Sequence, residues 1–382
     1  MYQQQHERIQ LVILIHRFRY LSFMICFFFF IILNQANTHN WPYLPVISYY
    51  NIAFMLEAEI HGTQLYFIID TGSSVTMIES IYKQSQTFQN LNQTYEQQYD
   101  LGKCKGVFGM DRLVLSKQLY IPQFTMAYGT CQKMPFFDQY IGLMGLSNRF
   151  QVKHVFEDQQ FHSSIFGLEF RKNSESRLYY NITNIEEKVT WHQLNVDHRW
   201  MIKMLGVYVD NEDVTDIFTG SAFLDSGYSC LVLTQNQFAY IWEKNLKSLC
   251  KIIDKSIYCD CNYNNFPNFT IYFEGAKIII ESQNYFPYSY NDKLCKLCIS
   301  QHNRDYLILG LPFIMSTTVL FDKTNQKIGL VDSFDIHQIS PIYFHLQLII
   351  VGTLTLVIIF YASQKERTFV KVDIELRNLE YL

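Results

Sequence analysis

The fold is decided by Leu65-Tyr66-Phe67-Ile68-Ile69-Asp70-Thr71-Gly72-Ser73-Ser74, an apolar strand that ends in an Asp-x-Gly turn. The same pattern returns as Ser221-Ala222-Phe223-Leu224-Asp225-Ser226-Gly227-Tyr228-Ser229. Each copy is followed downstream by an apolar-apolar-Gly element: Ile141-Gly142-Leu143-Met144-Gly145-Leu146 after the first, Leu307-Ile308-Leu309-Gly310 after the second. One Asp-Ser/Thr-Gly alone is weak, because Asp and Gly are ordinary turn residues. Two copies, each closing an apolar strand and each with its downstream companion, agree on a hidden duplication. Two similar halves with one carboxylate apiece predict a pseudo-twofold site where they meet.

Two carboxylates forced together at such an interface cannot both ionise, so they share a proton. One then acts as base on a bound water, and the other as acid on a peptide carbonyl. Asp70 and Asp225 are therefore the candidate catalytic pair. Gly72 and Gly227 permit the tight turns and close backbone approach. Thr71 and Ser226 carry hydroxyls able to bond across the interface and brace the turns.

Elsewhere the body reads as mainly β. Short runs rich in Ile, Val, Tyr and Phe are broken by Gly, Asn and Asp: Asn51–Ile60, Gln64–Ile69, Arg112–Leu115, Met201–Val209, Thr270–Phe273 and Lys277–Glu281. A helix is predicted over Gln235–Leu249, with Thr234 as N-cap and Phe238, Ile241, Trp242 and Leu246 on one face. A second is predicted near Phe150–Phe156. The chain has 382 residues and a net charge of −4, with no Lys/Arg stripe, so no nucleic-acid partner is expected. No His-Glu-x-x-His and no paired Cys-x-x-Cys set marks a metal, and no cofactor is implied.

The termini carry a second message. Arg8, Arg17 and Arg19 flank the apolar run Leu21–Leu33, which is short for a span and suits a signal peptide over residues 1–36 with cleavage after Ala36; an uncleaved signal anchor is the alternative. Ile342 to Ala362 is free of formal charge and long enough for the ~20 residues of a transmembrane helix. Lys365, Arg367 and Lys371 follow, as a cytoplasmic tail over 363–382 should have them. This predicts a single-pass type I protein of the secretory or endolysosomal route or the cell surface, its body lumenal or extracellular. Of nine Cys, Cys26 falls in the leader, and the remaining eight read as disulfides in an oxidising compartment. Asn92, Asn181 and Asn268 each open an Asn-x-Thr glycosylation acceptor.

With these residues in view, the body resembles the pepsin-like aspartic peptidases. Phe67 to Ser74 is similar to the family's first signature. Tyr99-Asp100-Leu101-Gly102-Lys103-Cys104-Lys105-Gly106-Val107-Phe108-Gly109-Met110-Asp111 resembles its flap hairpin. Trp191 to Val214 resembles the stretch opening the second lobe, and Leu307–Ile314, Leu320–Asp322 and Ile328–Leu330 the closing strands. The resemblance implies a bilobal mainly β fold, with an N-terminal lobe over 37–190 and a C-terminal lobe over 191–335; the C-terminal transmembrane helix expected from Ile342–Ala362 would follow them. It implies an endopeptidase that binds an extended peptide or protein segment beneath a flap, prefers apolar residues at the cleavage site, and acts as a monomer. Tyr99 and Gly102 become the flap and substrate-binding residues, and Ser73 joins Thr71, Gly72, Ser226 and Gly227 as dyad support. One of Cys259 or Cys261 with one of Cys295 or Cys298 resembles the family's second-lobe bridge, and two Cys at each end suggest a doubled one. Cys104–Cys131 is the pairing expected near the flap.

Three departures stand out. Tyr228 occupies the place of a Ser or Thr whose hydroxyl usually bonds the dyad. The tryptophan that usually bonds the flap tyrosine is missing from Val75-Thr76-Met77-Ile78-Glu79. The stretch between Ala36 and the first strand near Tyr49 is shorter than the family's inhibitory prosegment. The first two would suit a catalytically silent pepsin-fold membrane receptor or binding protein, the alternative function. Both Asp-x-Gly turns are intact, which favours the enzyme. A homodimer with one Asp per chain is unnecessary, because this chain supplies both.

Overall fold

Alternation along Thr63–Asp70 sets the pattern: Leu65, Phe67 and Ile69 are buried while Gln64 and Tyr66 face out. The computed structural model describes residues 41–331, except 100–101, 133–140, 150–152, 184, 186–188, 197, 219, 255 and 292–293. The expected leader, membrane span and tail lie outside the described residues. Among the described residues no helix is long and apolar enough to cross a membrane.

The duplication read from sequence is a duplication of topology. Thr63–Asp70 pairs antiparallel with Ala53–Ile60 and parallel with Ile141–Gly145, placing Asp70 opposite Gly145. Ile141–Gly145 then pairs antiparallel with Met77–Glu79, which runs parallel to Leu119–Gln132. In the second half Ser221–Leu224 pairs antiparallel with Met201–Lys203 and parallel with Leu307–Leu309. Leu307–Leu309 pairs antiparallel with Leu231–Thr234, which runs parallel to Ile299–His302. Five strands thus recur in the same order with the same senses. The apolar-apolar-Gly elements are the strands inserted beside each Asp strand, and their glycines have a steric reason. A Cβ on Gly145 would lie 2.6 Å from the Val75 backbone, and one on Gly310 would lie 2.2 Å from the Cys230 carbonyl oxygen.

Strands at one end of the 13-stranded sheet join the halves. Val319–Asp322 pairs with Ile165–Glu169, and Lys327–Val331 with Val189–Gln193, so the end of the described chain completes the 13-stranded sheet begun by its first half. The result is mainly β with few helices, as the two-lobed fold requires. Thr234 caps Gln235–Ile241 through a capping box with Gln237, as the sequence suggests. The helix then widens into a π-turn over Trp242–Leu246 instead of running on to Leu249. Of the predicted Phe150–Phe156 helix, only a single 3₁₀ turn at Val155–Glu157 falls within the described residues. The predicted Met201–Val209 run is two strands, Met201–Lys203 and Gly206–Val209, which belong to different sheets.

Four disulfides are present among the described residues. Cys104–Cys131 matches the expected flap-region bridge, and Cys261–Cys295 matches the second-lobe bridge. The doubled bridge is corrected. Cys259 pairs with Cys250, its direct neighbour across the Cys250–Ile253 and Ser256–Asp260 hairpin. Cys298 pairs with Cys230, five residues past Asp225. Cys259 faces Cys250 across one strand pairing and Cys295 across the other, so register offers it two partners, which sequence spacing alone does not reveal.

Trp200 holds the two halves at their centre. It is fully buried, and its indole N–H donates to the Leu146 carbonyl at 2.7 Å. Its ring packs edge-on against Phe166 and Phe321. Trp200→Ala is expected to cost about 3–5 kcal/mol through cavity formation and the lost bond, read as a shifted urea midpoint. A loss below about 1 kcal/mol would mean that the surroundings collapse to fill the space.

Candidate active site

Both Asp strands stop at buried turns, and the turns face each other. Asp70 and Asp225 are 8% and 5% exposed, and their carboxyls share a hydrogen bond. The Gly72 and Ser73 N–H groups donate to Asp70 Oδ1 at 2.8 and 3.0 Å, and the Gly227 N–H donates to Asp225 Oδ1 at 3.0 Å. Burial raises the Asp70 pKa above its ordinary value, against the opposing pull of those two amides and of Asp225. Burial beside a second carboxyl thus favours the protonated form of Asp70.

The braces are reciprocal. The Thr71 N–H donates to Ser226 Oγ at 3.0 Å, and the Ser226 N–H donates to Thr71 Oγ1 at 3.0 Å. Each hydroxyl then donates to the carbonyl just before the opposite Asp, Thr71 Oγ1 to Leu224 at 3.0 Å and Ser226 Oγ to Ile69 at 2.7 Å. All four groups are buried, so each bond made avoids an unsatisfied donor or acceptor. The glycines are crossed in the same sense. A Cβ on Gly72 would lie 2.1 Å from Asp225 Oδ2, and one on Gly227 would lie 2.6 Å from Asp70 Cγ.

Trp200 couples the same two turns through the backbone. Its carbonyl accepts from the Leu224 N–H at 2.8 Å, directly before Asp225. Leu146, which receives its indole proton, donates its own N–H to the Asp70 carbonyl at 2.8 Å. At the departure after the second turn, Tyr228 packs its ring against the main core. Its N–H donates to the Asp225 carbonyl, and its carbonyl accepts from Leu311. Main chain thus braces this turn.

The flap hairpin is formed by Gln89–Gln98 and Lys103–Ser116. Tyr99 and Gly102 close its tip with reciprocal backbone bonds of 2.7 and 3.3 Å. Leu119–Gln132 pairs with its second strand as far as Lys103, and Cys104–Cys131 ties the two together just behind the tip. The Tyr99 hydroxyl bonds Ser73 Oγ at 3.2 Å and the Tyr95 hydroxyl at 2.8 Å. Of the candidate site residues, Asp70, Thr71, Gly72, Ser73, Asp225, Ser226 and Gly227 meet at the two turns, Tyr99 reaches Ser73, and Gly102 lies at the hairpin tip beside Tyr99. Beside the flap lies a cavity of about 480 Å³ bordered by Ser74, Tyr95, Gln97, Phe108, Arg149 and Lys153. Among the described residues no cluster of His, Cys, Asp and Glu converges as a metal site would require.

A family model described as eukaryotic aspartyl protease matches residues 61–333. The chain belongs to this family. It is 25% identical over 335 residues to Pepsin A of Gallus gallus, covering 78% of this chain and 89% of that protein. It is 25% identical over 333 residues to Plasmepsin VII of Plasmodium falciparum (isolate NF54), covering 71% and 73% respectively. To Gastricsin of Callithrix jacchus it is 21% identical over 330 residues, covering 74% and 82%.

Two residues of this aspartyl protease chain escape the sequence reading. Trp200 lies inside a quoted stretch but carries no pattern of its own. Tyr95 has a signal in hindsight: in an extended strand, residues four apart share a face, which puts Tyr95 beside Tyr99.

Proposed function

We propose that the chain is an aspartic-type endopeptidase in which Asp70 and Asp225 activate a water between them. The observation that carries this reading is the hydrogen-bonded carboxyl pair, buried and fixed by the reciprocal Thr71 and Ser226 network. One member of the pair takes the water proton as the oxygen attacks the peptide carbonyl, and the other protonates the carbonyl oxygen. The tetrahedral intermediate then loses its amine with the protons moving back. Preorganised amides at Gly72, Ser73 and Gly227 keep the carboxyls oriented through both steps. Substrate lies extended under the flap, with Tyr99 and Gly102 against it, so main-chain bonds supply affinity and pockets supply choice. Apolar residues are expected on either side of the cleaved bond. The more polar cavity beside Arg149 and Lys153 suits a side chain further along.

The family membership and the four disulfides support a body, lobes 37–190 and 191–335, that matures in an oxidising lumen. The apolar run Ile342–Ala362 supports a single membrane anchor with residues 363–382 beyond it as a cytoplasmic tail, and residues 1–36 a leader. We read the protein as a monomer that needs no cofactor. The test is hydrolysis of denatured globin from acid to neutral pH, with and without a statine-type inhibitor. Inhibitor-sensitive cleavage with an acid-side optimum is expected. No such cleavage at any pH would leave a pepsin-fold binding protein in its place.

A further inference from the structure

We propose that Tyr95 is a positioning residue that holds the flap tyrosine Tyr99 closed over the Asp70 turn, replacing the absent tryptophan by a second phenol. This rests on the endopeptidase reading and names a component of that same site.

Three hydroxyls form a chain. Ser73 Oγ and the Tyr99 hydroxyl are 3.2 Å apart, and the Tyr99 and Tyr95 hydroxyls 2.8 Å apart, with either member of each pair able to donate. Ser73 Oγ also lies 3.3 Å from the Val75 carbonyl, which ties the chain to the loop after Asp70.

The surroundings make the arrangement consequential. Tyr95 is 5% exposed and sits in a small apolar cluster with Val75, Met77, Cys104, Ala127 and Leu143, separate from the main core. Tyr99 packs at the edge of that cluster. Met77, buried beside Tyr95, carries a thioether and no donor. Among the described residues the Tyr95 hydroxyl has Tyr99 as its partner. Were Tyr99 to swing away, a buried hydroxyl would lose that partner, and leaving a buried donor unpaired is unfavourable. Opening is thus opposed from beneath, and the closed flap is favoured before substrate arrives. Burial also pushes both phenols above their ordinary pKa, so the chain keeps its protons at any working pH.

The test uses the full chain and four forms: wild type, Tyr95→Phe, Tyr99→Phe and the double variant. The Phe ring refills the cluster, so the melting temperature reads any purely structural effect. Tyr95→Phe is expected to lower kcat/KM roughly 3- to 10-fold and to speed dissociation of a statine-type inhibitor by a similar factor. In the Tyr99→Phe background the same change should add less than about twofold, because the hydroxyl that Tyr95 bonds is already gone. A full-sized effect of Tyr95→Phe without the Tyr99 hydroxyl would overturn the proposal, as would an unchanged inhibitor off-rate alongside a lowered melting temperature. A wild-type chain that neither cleaves globin nor binds the inhibitor overturns the endopeptidase reading itself. An active wild type with an unaffected Tyr95→Phe overturns this inference alone.

Discussion

Asp70→Asn and Asp225→Asn are each expected to lower kcat by roughly 10³- to 10⁴-fold while leaving the β architecture intact. Each carboxyl is needed in a different protonation state, and an amide can neither take the water proton nor pass one to the carbonyl. The losses should not add: the double variant falls to the level of either single one, because half a pair has no residual mechanism. Activity persisting in either variant would exclude a shared-proton dyad.

The same Asp70→Asn variant carries a stability prediction with a defined sign. Burial raises the folded-state pKa of Asp70 above its unfolded value. Its contribution is therefore complete below the unfolded value and is lost as pH rises through the folded one. Asn cannot lose the proton that burial favours on Asp70, so the urea midpoint of the variant should rise relative to that of wild type as pH increases. A gap that widens toward acid would reverse the assignment.

The second large effect belongs to the glycines. Gly72→Ala places a methyl 2.1 Å from Asp225 Oδ2, and Gly227→Ala places one 2.6 Å from Asp70 Cγ. The struck carboxyl is short and pinned by its own turn amides, so it has no flexible end with which to yield. The pair must separate, and a displacement near 1 Å costs on the order of 10²-fold in rate. Each alanine is thus expected to lower kcat at least about 10²-fold, acting on the opposite aspartate from the one in its own turn. Circular dichroism should stay native. A kcat within a few-fold of wild type would mean that the turns slide apart without harm to the chemistry.

How much of this was legible follows from what each residue depends on. The Asp turns were readable because turn chemistry is local: Asp, a hydroxyl residue and Gly in sequence, after alternating apolar residues. The Gly145 and Gly310 companions were readable as repeats, although their reason, contact with the loop after each Asp, is purely spatial. The flap was readable by resemblance, but its support was not. The sequence shows a tryptophan missing, and only the fold brings Tyr95 to Tyr99. Cysteine pairing failed where a hairpin intervened, since Cys250 and Cys259 are adjacent by register across Cys250–Ile253 and Ser256–Asp260. The long helix fell short because a widened π-turn ends it, and apolar periodicity does not report that event. Trp200 was invisible as a site component because its importance lies in two bonds to residues far from it in the chain.

The crossed hydroxyl bonds also set a timetable. Thr71 and Ser226 are 155 positions apart, and the strand Leu307–Leu309 that flanks Asp225 is made later still. The last pairings, Val319–Asp322 with Ile165–Glu169 and Lys327–Val331 with Val189–Gln193, tie the newest residues to sheets formed long before. Contacts of such long separation form late. A chain still emerging from the ribosome has one aspartate without its opposite brace, and then two without a closed frame. The proposed catalytic pair is therefore complete only after nearly all of the described body has been synthesised.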